Sequence, residues 1–222
     1  MKMKYKNKIN QNLAYFIGVI HSDGCFYKFK DKIKKRIQIR LILYVGEKSI
    51  PMSIKFKKIL FEQFDRNVNI RKVPNKESYV IQTSINKLWP IFKNWNKNII
   101  PPQIKKESNL FGAYLAGLID GDGHIKIKKN ENSRTIPQHV IKIASDRKLK
   151  ELKKLIELHF NCSVHFENDK RSKAFNTCFY ISKKNIKMIM KNTFPHLVLQ
   201  HKKQRIKNYN EKIRARPDFR KE

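Results

Sequence analysis

Two Asp-Gly pairs are the residues best placed to do chemistry. Asp23-Gly24 closes the segment LAYFIGVIHSDG (13–24), and Asp122-Gly123 closes GAYLAGLIDGDG (112–123), 99 positions further along a chain of 222 residues. Each segment is apolar enough to be a buried helix. A following Asp then faces the negative end of the helix dipole and its unpaired carbonyls, a poor place for a carboxylate on structural grounds alone. If the two helices cross side by side, the two carboxylates also face each other. Paired acids with carbonyls around them form an oxygen cage suited to a divalent cation. The Gly after each Asp fits a left-handed residue that stops the helix.

The elements that must position these acids follow from small residues at helical spacing. Ala14 and Gly18 recur four apart, as do Ala113, Gly117 and Gly121, so each set lies along one helical face. Glycine inside a helix costs about 1 kcal/mol relative to alanine. Close approach of the two helix backbones offsets that cost, so Ala14, Gly18, Ala113 and Gly117 are expected at the interface between two halves.

The similarity extends past the helices. RIQIRLILY (36–44) is answered by QHVIKIAS (138–145), IKFKKILFEQF (54–64) by LKELKKLIELHF (149–160), and SYVIQTS (78–84) by FNTCFYIS (175–182). Parallel order of this kind marks two copies of one unit. The expected fold is α+β: two pseudo-symmetric αββαββα repeats forming a saddle, with concave antiparallel sheets that bind DNA. The expected boundaries are a basic N-terminal arm (1–12), a first repeat (13–100), a linker (101–111) opened by Pro101-Pro102, a second repeat (112–210) and a basic tail (211–222). Alternation such as Arg36-Gln38-Arg40 against Ile37-Ile39-Leu41 predicts one apolar face on the helices and one polar, basic face outward.

Composition narrows the function. Lys and Arg number 50 against 18 Asp and Glu, a formal net charge of +32, while 40% of residues are hydrophobic. That is enough to build a core, and the charge calls for a polyanion such as nucleic acid. No apolar run is long enough to span a membrane and the basic start lacks a signal-peptide core, so neither a membrane nor secretion is expected. Cys25, Cys162 and Cys178 have no paired or CxxC spacing and predict neither disulfide nor zinc. The 39 Lys against 11 Arg, with abundant Ile and Asn, point to an A/T-rich coding sequence. An intracellular, organellar setting (mitochondrion or chloroplast) is the expectation.

LAGLIDGDG (115–123) is one letter from the motif that names the LAGLIDADG homing endonucleases, and FIGVIHSDG (16–24) resembles a diverged first copy. The chain thus resembles the single-chain, two-motif members over about residues 13–210. The resemblance implies a monomer that makes a double-strand break in a long, asymmetric site on double-stranded DNA. It implies Mg²⁺ or Mn²⁺ as cofactor, with Ca²⁺ binding without supporting cleavage. Asp23 and Asp122 would be the acidic metal ligands, one for each strand, with the carbonyls of Ser22 and Gly121 as additional ligands. Water would attack the phosphodiester directly, without a protein nucleophile. The family also adds a polar residue near the end of the second strand, where Glu47 and Asp146 stand here, and a Lys near the last helix. Lys202 is the better candidate, with Lys203 its rival, and Lys97 or Lys105 would serve the first half. The first motif departs from the pattern at Ile17 and at His21, for which capping or packing is favoured over ligation.

Alternation nominates Arg36, Gln38 and Arg40 in the first repeat, and Lys126, Lys128, Asn130 and Lys142 in the second, as DNA contacts. For the strand at 25–30, alignment turns Tyr27 and Phe29 outward, whereas hydropathy turns out Lys28 and Lys30. The terminal Lys clusters would run along phosphates. Two rival functions share the fold: an intron RNA maturase and a DNA-binding regulator without cleavage. Keeping both Asp favours cleavage. No splicing Cys or Ser precedes the first motif and no His-Asn pair ends the chain, so an intein is not expected.

Overall fold

The structure is a computed structural model, and it describes residues 8–31, 35–95, 99–128, 138–169 and 173–214. The first repeat runs α1 (Gln11–Ser22), β1 (Gly24–Asp31), β2 (Arg36–Gly46), α2 (Ile50–Phe64), β3 (Ile70–Lys72), β4 (Ser78–Ser84) and α3 (Trp89–Phe92). The second runs α5 (Ser108–Asp120), β5 (Gly123–Lys128), β6 (Gln138–Ser145), α6 (Lys150–Phe160), β7 (Val164–Asn168), β8 (Phe175–Ile181) and α7 (Ile186–Asn192). Two helices lie outside this repeat: α4 (Pro102–Lys106) turns the expected linker into a helical turn, and α8 (Gln200–Arg214) follows the second repeat.

Each repeat forms a four-stranded antiparallel sheet, in the orders β1-β2-β4-β3 and β5-β6-β8-β7. Period-two alternation decides which face is buried. Ile39, Leu41, Leu43 and Val45 of β2 pack inward, as do Ile141 and Ile143 of β6. In α1, Asn10 caps the N-terminus by accepting from the Leu13 N–H at 2.8 Å. The helix then buries every residue from Leu13 to Ile20. Phe16 stacks on Phe56 of α2 at 4.3 Å between centroids, so the helix is held on one side by its own repeat.

Its other side meets α5, the most extensive contact between any two elements. A Cβ on Gly18 would stand 2.2 Å from the Tyr114 carbonyl oxygen, and one on Gly117 would stand 2.2 Å from that of Tyr15. The two glycines therefore let the helix backbones touch, and Ala14 and Ala113 are fully buried in the same helices. Lys55 of α2 adds a second tie between the halves: its ammonium lies 3.6 Å from the centre of the Tyr15 ring and donates to the His196 carbonyl at 2.7 Å.

Two expectations need correction. No described glycine has a positive φ, so Gly24 and Gly123 are not left-handed helix stops. They are required because a Cβ at these positions would lie 2.6 Å from the Ile20 Cα and 2.4 Å from the Ile119 Cα. The chain folds straight back over the last helical turn into the first strand. The outward face of the first sheet is also not simply polar and basic. The β1–β2 register sets Tyr27 opposite Arg40 and Phe29 opposite Gln38, while Phe26 packs on the core. Tyr27 and Phe29 thus face outward, as alignment predicts, and the Lys-outward reading from hydropathy is overturned because Phe26 has more apolar area to bury.

Candidate metal and nucleic-acid site

The helix crossing delivers both acids to one place. Asp23 follows the last residue of α1 and its N–H donates to Val19 O at 3.0 Å. Gly121 follows α5 and donates to Gly117 O at 3.1 Å, which leaves Asp122 at the matching turn. A Cβ on Gly121 would come within 2.1 Å of Ser22 Oγ and 3.0 Å of Asp23 Oδ2, so the two turns lie against each other. Desolvation at this junction, together with the Asp122 charge, raises the Asp23 carboxyl to about 6, while the Lys202 ammonium pulls it down. Asp122 is more exposed; desolvation raises its carboxyl too, and Lys202 opposes the rise.

Lys202, in the first turn of α8, is only 8% exposed. Its ammonium donates to the carbonyls of Ile119, Asp120 (2.8 Å) and Gly121 (3.3 Å). All three N–H groups thus serve the C-terminal end of α5, where a cation also offsets the helix dipole. The Gly121 carbonyl, expected to face a cation, already accepts one of these bonds. Lys203 instead lies 5.4 Å from the centre of the Phe194 ring. Lys105 pairs with Glu151 at 2.5 Å, and Lys97 lies outside the described residues.

Asp120 was not among the residues expected to matter, yet it is the one fully buried acid here, 1% exposed. Its carboxylate accepts from Tyr15 Oη (2.9 Å), Val198 N (2.9 Å) and Leu199 N (3.4 Å). It thereby pins α1 and the segment leading into α8 to the end of α5. The signal was present in the sequence: an acid inside the apolar run LAGLID must find partners. At the matching place in the first repeat, His21 Nδ1 and the Tyr114 hydroxyl are bonded at 2.9 Å. Burial lowers the His21 imidazole to about 4, so it is a neutral, packed group, as its sequence context favoured.

A cleft of about 670 Å³ opens beside the junction, lined by His21, Ser22, Asp122, Asp146 and Arg147 among others. Asp146 therefore shares the cleft with Asp122. Glu47 is exposed at the start of a short 3-10 turn after β2. The two acids are not equivalent positions: Gly24 pairs with Leu43 and Gly123 with Ile143, so Gly46, not Glu47, matches Asp146.

Of the expected DNA contacts, Gln38 and Arg40 share the outward face of the first sheet, with the Arg40 guanidinium 4.5 Å from the Phe29 ring centre. Lys126 and Lys142 lie on the outward face of the second. Lys142 forms an ion pair with Glu167, which also bonds His165 at 3.1 Å. The Lys142 hydrogen bond holds the Glu167 carboxyl down at about 2. Arg36 and Lys128 sit in strands, but their side chains, and all of Asn130, lie outside the described residues. His165, Glu167 and Cys178 come close enough together to hold a metal ion, but the Lys142 ammonium already occupies the carboxylate. Arg205 of α8, also not anticipated, donates to the Ile125 carbonyl and secures the helix on β5.

With this geometry in place, comparison with known proteins shows what the chain resembles. The profile of the LAGLIDADG endonuclease family matches residues 115–213, from the second motif almost to the end of α8. Residues 115–213 thus resemble a LAGLIDADG endonuclease, and the chain shares its two-repeat fold with solved single-chain LAGLIDADG homing endonucleases. Mesophilic variants of the homing endonuclease I-DmoI are 18% identical, with a TM-score of 0.59 over 82% of this chain and 94% of theirs. The I-LtrWI LAGLIDADG homing endonuclease bound to target DNA is 19% identical, with a TM-score of 0.61 over 92% of this chain and 91% of its own. I-DmoI in complex with DNA and Mn is 19% identical, with a TM-score of 0.59 over 82% of this chain and 96% of its own. No curated protein sequence matches the chain.

Proposed function

We propose that this protein is a monomeric, site-specific DNA endonuclease that hydrolyses one phosphodiester in each strand at the junction of its two repeats. One observation carries the reading: the helix crossing sets Asp23 and Asp122 at adjacent, pseudo-equivalent helix ends, where desolvation and the Asp122 charge raise the Asp23 carboxyl. The family match to the second motif and the basic chain support it. Related I-DmoI structures contain DNA with Mg, Mn or Ca, and I-LtrWI is bound to its target DNA.

The donor set fits a divalent cation of the Mg²⁺ kind. Two carboxylates with raised proton affinity are hard oxygen donors, and a cation between them would offset the cost of holding them ionised away from water. When bound, the cation supplies neutralisation of phosphate charge and an activated water. The remaining work belongs to the chain. Asp23 and Asp122 hold the negative charge at the two cutting positions. Lys202 and Asp120 keep the end of α5 rigid, and the two outward sheet faces hold the duplex. Asp146, in the cleft beside Asp122, is positioned to orient water on one side only. No feature of the structure favours the RNA-maturase reading over this one.

The test is cleavage of a supercoiled plasmid library carrying randomised inserts, with Mg²⁺ or with EDTA, for wild type beside Asp23→Asn and Asp122→Asn. Linear product that requires the metal, reduced to nicked circles or abolished in each variant, is expected. Salt-sensitive binding with no breaks in any divalent metal would sink the nuclease reading.

A further inference from the structure

The two repeats present opposite chemistry at matched positions of the outward sheet faces. The pairings of Gly24 with Leu43 and of Gly123 with Ile143 set the correspondence. Cys25, Tyr27, Ile42 and Tyr44 in the first sheet then match His124, Lys126, Lys142 and Ala144 in the second. The fold therefore does not require apolar groups at these places, and the second repeat fills most of them with cations or imidazole. In the first sheet the register sets Cys25 opposite Ile42 and Tyr44 opposite Val80, with Gln82 beside Ile42 as a polar neighbour. Tyr27 is 54% and Tyr44 is 55% exposed.

This surface is ordered. Tyr27 and Phe29 stack at 5.5 Å between centroids, and the Arg40 guanidinium lies over Phe29. It begins two residues after Asp23, so it continues directly from the proposed cutting site. Arg40 and Arg71 share the face, as their pairings with Tyr27 and Val80 require. A polyanion complements that border better than an apolar protein surface does. Of the groups at the major-groove edges of a duplex, only the C5-methyl of thymine is apolar.

We propose that the first repeat reads its half of the DNA site through thymine methyl groups, seated on Tyr27, Ile42 and Tyr44. The second repeat reads its half without them, through Lys126 and the Lys142–Glu167 pair. The inference rests on the DNA-binding reading above and assigns the chemical basis of its specificity.

The experiment selects duplexes from a randomised pool with the full chain in Ca²⁺. The recovered site is then resynthesised with deoxyuridine in place of thymidine in one half at a time, which removes only the methyls. The expected result is thymine enrichment in one half, with binding weakened about tenfold or more by deoxyuridine there, since each buried methyl contributes roughly 0.8 kcal/mol. Deoxyuridine in the other half should change affinity less than twofold. An Ile42→Ser/Tyr44→Ser variant, altered at exposed or half-exposed strand positions, should lose most of the discrimination between thymidine and deoxyuridine duplexes, identifying the sensitive half as that of the first repeat. Equal affinity of wild type for both duplexes would overturn the inference while leaving DNA binding intact. Recovery of no duplex at all would overturn the DNA-binding reading and this inference with it.

Discussion

Tyr15 of the first repeat donates its phenol to Asp120 of the second at 2.9 Å, across the helix crossing. A matching link joins Tyr114 of the second repeat to His21 of the first at the same distance. Both partners are displaced by the repeat spacing, 15 to 114 and 21 to 120, so the pair is one contact built twice with one partner changed. Burial pushes both phenols well above the ordinary tyrosine range, which keeps them protonated and able to donate.

The change of partner makes the two links unequal. Asp120 gathers three donors, which with Lys202 oppose the rise that desolvation imposes on its carboxyl, whereas His21 is neutral. Tyr15→Phe should therefore cost about 2 kcal/mol of stability and Tyr114→Phe about 1 kcal/mol, because hydrogen bonds to charged groups are the stronger ones. Urea unfolding of both variants at neutral pH measures the difference, and equal losses would contradict it.

Gly117→Ala places a methyl 2.2 Å from a backbone carbonyl oxygen that belongs to the other helix and cannot swing aside. A loss of roughly 3 kcal/mol is expected, at the upper end for overpacking. Gly46→Ala is the control, because a Cβ there meets nothing within 4 Å; its effect should stay within about 0.5 kcal/mol. Thermal unfolding separates the two.

The Asp23 carboxyl titrates at about 6 in the fold, against 3.8 ordinarily. A raised acid binds its proton more tightly when folded, so its ionised form costs stability above pH 6, and that cost disappears below pH 4. Without metal, Asp23→Asn should raise stability at pH 7.5 by about 1 kcal/mol after allowing for water screening, or roughly 2–4 °C in Tm. The gain should fade as pH drops through 6 towards 4. Calorimetry in EDTA across that range checks the sign.

Lys202→Met removes a buried cation from three carbonyls and from the neighbourhood of Asp23, Asp120 and Asp122. A destabilisation of roughly 3 kcal/mol is expected, because three buried helix-end carbonyls lose their donor. Lys202 draws Asp23 and Asp122 downward, so its loss raises both. The acidic limb of metal-dependent cleavage should move to higher pH. An unmoved limb alongside lower stability would reduce Lys202 to a helix-end support.

The repeat, the two helices and the two Asp-Gly turns were legible in the residues, because small-residue spacing and apolar period are local properties that recur at a fixed offset. The strand alternation of 36–41 was legible for the same reason. Outward-facing Tyr27 and Phe29 were ambiguous, since composition could not say which of Phe26 and Lys28 the core would accept. Only the packed fold could decide it, by giving Phe26 the aromatic neighbours Trp89 and Phe92. The reason for Gly24 and Gly123 was likewise hidden, because the steric limit is set by a helical turn folding back on itself rather than by φ. Asp120, Lys202 and Arg205 become a group only when α8 crosses the end of α5. Residues about 80 positions apart share no local signal. Their joint placement answers the need of a buried acid and a helix end for partners, and that need is met only in three dimensions.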